Sequence, residues 1–153
     1  IDYTYDSSNS KFFPWRPNIG FTHPALEPYT NLIQEISAEY HINAQVVATI
    51  IMVESRGDND ANNESGSVCL MGVNSHVNGR PSAKQLMDDP RLCLEWGTRI
   101  LRETMNETGN LNDALRIYNV GLQGWRNCPT CGQGMITLYD KYRKELWVNW
   151  GEE

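Results

Sequence analysis

An apolar helical stripe that ends on a carboxylate constrains this chain more than any other feature. Val46, Val47, Ile50 and Ile51 recur at helix spacing behind Asn43, a residue suited to capping a helix start. Glu54 follows Val47, Ile50 and Ile51 by seven, four and three residues, so it falls on the apolar face of a helix running to about Ser55. It also falls at the helix C-terminus, where the macrodipole disfavours negative charge. Desolvation and the dipole both raise a carboxyl pKa. A carboxyl that keeps its proton near neutral pH is what a general acid requires. The plain alternative is a glutamate at the core rim, paired with Arg56 or Arg99.

Helical periodicity continues along the chain. Leu32, Ile33, Ile36 and Tyr40 mark a helix over 28–40, with Pro28 early, where proline is tolerated. Asp89-Pro90 opens another, with Leu92, Cys93, Trp96, Ile100 and Leu101 expected inward. A fourth covers about 112–119 with Leu115 and Tyr118, and a fifth about 135–147 with Ile136, Leu138, Tyr139, Tyr142 and Leu146. Two Gly-rich polar stretches, 57–79 and 121–134, read as irregular and as the places where function concentrates. Strand-like alternation is scarce, and only 68–77 admits a short hairpin. The expected fold is therefore mostly α, a helical bundle with at most a small β-hairpin.

Residues 1–23 lack periodicity and mix Ser and Asn with Tyr3, Tyr5, Phe12, Phe13 and Trp15, broken by Pro14 and Pro17. They read as an extended arm or linker, and 24–153 as the folded domain. The chain opens at Ile1 with no signal-peptide pattern, which reads as a piece processed or excised from something longer. Net charge is −6, which argues against a nucleic-acid partner. No apolar run approaches the roughly 20 residues that cross a bilayer, so no membrane span is expected.

Four cysteines allow three disulfide pairings, of which Cys69 with Cys93 and Cys128 with Cys131 is the preferred one. Free thiols, a zinc knuckle at Cys128-Pro129-Thr130-Cys131 and a redox CxxC are the alternatives. Zinc would need two further ligands, and no second CxxC or His pair follows. Disulfides would place the protein outside the cytosol. His23, His41 and His76 form no spaced metal set, and neither a metal nor a cofactor is expected.

The residues after Glu54 narrow the reading. Ser55, Ala61, Gly66, Leu70 and Met71 follow Glu54 by one, seven, twelve, sixteen and seventeen residues. Further on, Ala114-Leu115-Arg116-Ile117-Tyr118-Asn119-Val120-Gly121 has the form Ala-x-x-x-Tyr-Asn-x-Gly, and Leu86, Asp89-Pro90 and Gly97 fall between. This ordered set, spanning about 28–147, resembles the soluble-type (SLT) lytic transglycosylase domain of glycoside hydrolase family 23, which has a lysozyme-like fold. Two departures stand out. The family usually reads Gly-Leu-Met-Gln, where this chain has Cys69 for the Gly and Gly72 for the Gln. Val120 replaces a usual Ala.

The resemblance implies cleavage of the β-1,4 bond between N-acetylmuramic acid and N-acetylglucosamine in peptidoglycan glycan strands, closing a 1,6-anhydro ring, with Glu54 as the single acid and base. It also implies roles around Glu54. Ser55 orients the acid or caps the helix, and the backbone at Met71 lines the cleft while its side chain fills core. Tyr118 and Tyr139 hydrogen-bond the carboxyl or simply pack. Asn119 holds an N-acetyl group or ends its helix. Trp125 stacks on a sugar or covers the core, and Trp147 and Trp150 read as packing or interface residues.

The nearest rival is a hydrolytic muramidase like the goose-type lysozymes, which would need a second carboxylate such as Asp58, Asp60 or Glu64. A third reading is an inactive glycan-binding or structural module of a larger assembly, such as a phage tail. The expected location is extracytoplasmic: secreted, periplasmic, wall-bound or virion-associated.

Overall fold

Nine consecutive residues of one helix, Ala44 to Met52, are buried, and the other elements are arranged around them. The computed structural model describes residues 23–146. Residues 1–22 of the stretch 1–23 expected to be an arm or linker, and the two late tryptophans, Trp147 and Trp150, lie outside the described residues. A 3-10 turn, Pro24–Tyr29, leads into α1, Thr30–Glu39. The central helix is α2, Ala44–Glu54, capped by Asn43, whose Oδ1 accepts from Gln45 N at 2.8 Å. A two-stranded antiparallel sheet follows, β1 Ser67–Val68 against β2 Val73–Asn74, in register Val68 to Val73. Then come α3 Ala83–Asp88, α4 Pro90–Thr108, α5 Leu111–Asn127 and α6 Gln133–Leu146. This is the mostly α, lysozyme-like arrangement expected.

Burial of α2 on all sides explains its composition. A helix with one wet face would show a stripe, but α1 and α6 pack on α2 and leave it none. The sequence reading found the stripe Val46, Val47, Ile50 and Ile51, yet Ala48 and Met52 are equally enclosed. Of its buried polar residues, Gln45 and Thr49, the second donates its hydroxyl to Gln45 O at 2.6 Å, a partner within the helix itself.

Several expectations are corrected. On α4 the buried apolar residues are Cys93, Leu94, Leu101 and Met105, while Leu92, Trp96 and Ile100 are only half-buried. The helix is rotated from its simplest apolar stripe because Gly97 lets Met71 approach its backbone. Trp96 instead holds the Arg99 guanidinium 4.8 Å above its ring. Helix α5 runs well past 119, so much of the stretch 121–134 is helical. Gly121 breaks it with φ 83° and ψ 158°, a conformation only glycine adopts at no steric cost. Leu138 on α6 is 41% exposed, since Met135, Tyr139, Tyr142 and Leu146 form the inward row. Helix α3 has no counterpart in the sequence reading. Six residues carry too little periodicity, although Ser82 and Gln85 form a capping box.

Both preferred disulfides are present. Cys128–Cys131 closes the turn between α5 and α6. Cys69–Cys93 ties the turn after β1 to α4 across a sequence separation of 24. Closing a loop of that size removes about 3 kcal/mol of unfolded-state entropy. Cys69 itself has φ 67°, a left-handed conformation that costs a non-glycine residue about 1–2 kcal/mol. The cross-link outweighs that strain, which rationalises a Cys where the resembling family has Gly.

Gly97 lets the turn pack closely against α4. A Cβ there would lie 2.5 Å from Met71 Sδ and 2.6 Å from Met71 Cβ. Gly97→Ala therefore trades a helix-propensity gain of about 1 kcal/mol for overpacking. The expected outcome in urea denaturation is a net loss of about 1–3 kcal/mol. A neutral or stabilised variant would show that α4 and the turn are not in hard contact.

Candidate active site

The end of α2, the β-hairpin, α4 and the break in α5 enclose a cleft of about 470 Å³. Glu54, the last residue of α2, lines it. Its carboxyl is largely desolvated, and this burial raises its pKa from 4.5 to about 7. Among the described residues no cation forms an ion pair with it. The alternative in which Arg99 neutralises Glu54 does not hold, because Arg99 pairs with Glu103 at 3.6 Å. Arg56, just past the helix end at φ 54°, forms no ion pair with Glu54 either.

The turn Cys69–Gly72 lies against this carboxyl. Gly72 has φ 63°, and a Cβ built on it would stand 2.8 Å from Glu54 Cδ, closer than atoms tolerate. A Gln here, as in the resembling family, would take a strained left-handed backbone and have to displace the Glu54 side chain, so Gly72 lets the turn and the acid approach each other. The turn is fastened on several sides. Leu70 N donates to Asn59 Oδ1 at 3.1 Å, and Leu70 O accepts from Ser55 Oγ at 2.8 Å. Met71 N donates to Cys93 Sγ at 3.3 Å, and Met71 O accepts from Tyr118 Oη at 2.6 Å. Asn59 is anchored in turn, its Nδ2 donating to Met87 O at 2.8 Å.

The candidate residues therefore separate into three places. Glu54, Tyr118 and Asn119 line the cleft. Ser55 and Met71 sit behind it as fasteners: Ser55 ties α2 to the turn, and Met71 puts its side chain into the core against Gly97. Tyr139 and Trp125 are not among the cleft residues. Tyr139 is buried between α6 and α2 with Thr49 as its polar neighbour, and burial pushes its phenol far above the ordinary range. Trp125 is half-buried beyond the Gly121 break.

Tyr118 also departs from expectation. Its hydroxyl donates to Met71 O rather than to the Glu54 carboxyl. Burial first, and the nearby Glu54 charge second, raise its pKa well above 10. It is a fixed neutral phenol. Asn119 is exposed in the cleft at the last turn before Gly121.

Sequence reasoning missed Asn59, Arg80, Glu103 and Glu107. Arg80, Glu103 and Glu107 line the cleft, and Asn59 holds the turn. Asn59 sits in a run of Asp and Asn that reads as a solvated loop, and nothing local marks the one member that turns inward. Asp58, Asp60 and Glu64, the carboxylates considered as partners for Glu54, are not among the cleft residues. Asp58 instead accepts from Asp60 N at 2.8 Å within its own loop.

The raised pKa has a consequence for stability. Below about pH 4 the carboxyl is protonated in both folded and unfolded chains, and its burial costs little. Between 4.5 and about 7 the unfolded chain loses its proton first, so stability falls as pH rises. Above that range the full penalty applies, up to about 3 kcal/mol for a shift of this size. Glu54→Gln should therefore stabilise the protein at about pH 8 and not at about pH 4. Denaturation curves at the two pH values check this. Equal effects at both would mean that the carboxyl is not desolvated.

A family model described as the transglycosylase SLT domain matches residues 31–128, which include Glu54, the hairpin, α4 and Tyr118-Asn119. No curated protein and no solved structure gives a significant match.

Proposed function

Because the chain belongs to the transglycosylase SLT domain family, we propose that it is a peptidoglycan lytic transglycosylase acting through Glu54. The observation that carries this reading is a desolvated carboxyl, with no ion-pair partner among the described residues, at the wall of a cleft of about 470 Å³, holding its proton to about pH 7.

The chemistry needs one group that is first an acid and then a base. Glu54 protonates the glycosidic oxygen between N-acetylmuramic acid and N-acetylglucosamine. The substrate's own N-acetyl carbonyl stabilises the developing cation. Glu54, now ionised, takes the proton from the C6 hydroxyl, whose oxygen closes the 1,6-anhydro ring. An intramolecular hydroxyl has a large proximity advantage over water. A pKa near the working pH serves both steps. Two-carboxylate glycosidases place a second carboxyl about 5–9.5 Å across the scissile bond. Asp58, Asp60 and Glu64 are off the cleft, and of the two other carboxylates among the described residues that line it, Glu103 is paired with Arg99, which leaves Glu107 as the one alternative base. Both facts favour the single-carboxylate route over the hydrolytic one.

The neighbours have supporting roles. Tyr118, by holding Met71 O, keeps the turn against Glu54. Asn119 presents an amide that can both donate to and accept from an N-acetyl group. Two disulfides suit an oxidising compartment, which favours an extracytoplasmic site of action where the wall is found. No helix among the described residues is long and apolar enough to cross a membrane.

Digestion of purified peptidoglycan, followed by mass measurement of the soluble fragments, tests the reading. The expected fragments carry anhydro ends, one water lighter than reducing ends. Glu54→Gln should lower their release by at least about a hundredfold. Reducing ends would indicate a muramidase and point to Glu107 as its base. An absence of fragments on every wall type would leave an inactive glycan-binding module. The rate should also fall about tenfold per unit above about pH 7, as the acid loses its proton. A rate that holds to about pH 9 would remove Glu54 as the acid.

A further inference from the structure

Arg80 is the one cation among the described residues that line the cleft. It stands in the loop between β2 and α3, just after Gly79 at φ 89°. Its Nη1 donates to Asn74 O at 3.2 Å, which fixes one edge of the guanidinium to the hairpin. Among the described residues no carboxylate lies within ion-pair distance of it. Glu103 acts on it electrostatically, yet Glu103 is itself held by Arg99 at 3.6 Å. Burial lowers the Arg80 pKa, the usual cost of drawing a guanidinium out of water, and leaves it charged. Glu54, Arg80 and Tyr118 line the same cleft.

A half-desolvated guanidinium with a free edge and no counter-ion is a site for an anion. Its planar fork of donors matches a carboxylate. A strand of N-acetylglucosamine alone carries none. N-acetylmuramic acid carries a lactyl ether whose carboxyl is free in stripped strands. In intact strands that carboxyl is joined to a peptide bearing carboxylates of its own. We propose that Arg80 binds a carboxylate borne by the muramyl substituent, and so distinguishes muramyl strands from neutral acetamido-glycans. This rests on reading the Glu54 cleft as a peptidoglycan site. The plain competing role for Arg80 is to brace the hairpin through Asn74 O.

The test compares the intact chain with Arg80→Gln and Arg80→Lys on four substrates. These are peptide-bearing muramyl strands, peptide-free strands, peptide-free strands with the lactyl carboxyl amidated, and N-acetylglucosamine oligomers. On strands with the recognised carboxylate, Arg80→Gln should raise KM about tenfold or more while kcat changes less than about threefold. Arg80→Lys should recover part of the loss. The amidated strands and neutral oligomers should not respond. A loss on peptide-free strands identifies the lactyl carboxylate, and a loss confined to peptide-bearing strands identifies the stem. A loss of equal size on all four substrates, or on none, overturns the proposal and leaves Arg80 as a brace. If the intact chain cleaves no strand, the catalytic reading fails. Calorimetric titration of the same strands then decides the binding claim separately. Weaker binding of carboxylate-bearing strands alone by Arg80→Gln upholds it, and unchanged binding ends it.

Discussion

The approach of the Cys69–Gly72 turn to the Glu54 carboxyl is the contact on which this structure depends. The turn lies against the buried Glu54 carboxyl, an approach that the missing Cβ of Gly72 permits. Nothing in such a short turn would hold it in place alone. Its backbone groups are taken up by Asn59, Ser55, Cys93 and Tyr118, which come from three separate parts of the chain: the segment after α2, α4 and α5. The Cys69–Cys93 disulfide adds a covalent tie to α4. Each of these fixes a polar group that burial would otherwise leave unsatisfied. The bundle around α2 supplies a rigid frame, and the fasteners turn it into a defined environment for one carboxyl.

Much of this was legible in the sequence, and the limits are physical. Helix spacing placed Glu54 on the apolar face of α2, because burial there follows directly from periodicity. The Asn43 cap and the Asp89-Pro90 start were legible for the same reason, since local hydrogen bonding and proline geometry set them. The cysteine pairing emerged from count and spacing together. The face of α4 was read one step off, because Gly97 contributes by being small, and a hydrophobic stripe does not register a missing side chain. Helix α3 was too short to show a period.

The site was legible where chemistry is carried by a motif and obscure where it is carried by tertiary contact. Tyr118 and Asn119 were singled out from their motif, yet only the fold shows that the Tyr118 hydroxyl serves Met71 O and not the acid. Tyr139 and Trp125 had plausible chemistry but are not among the residues that line the cleft. Asn59 and Arg80 have ordinary sequence surroundings, and their importance comes from neighbours 11 and 6 residues away, the separations to Leu70 and Asn74. The two family departures at Cys69 and Gly72 prove to be local adaptations of one turn: a cross-link that outweighs a strained backbone, and a glycine that lets the acid close in.

The central claim is that burial, with no cationic partner among the described residues, keeps Glu54 protonated near neutral pH. Its most direct test is the titration of the Glu54 side-chain carboxyl, followed by carbon NMR on selectively labelled protein. The account predicts a midpoint near 7, well above the ordinary 4.5. A midpoint at the ordinary value would mean that water reaches the carboxyl freely and that the turn does not hold it in the environment described.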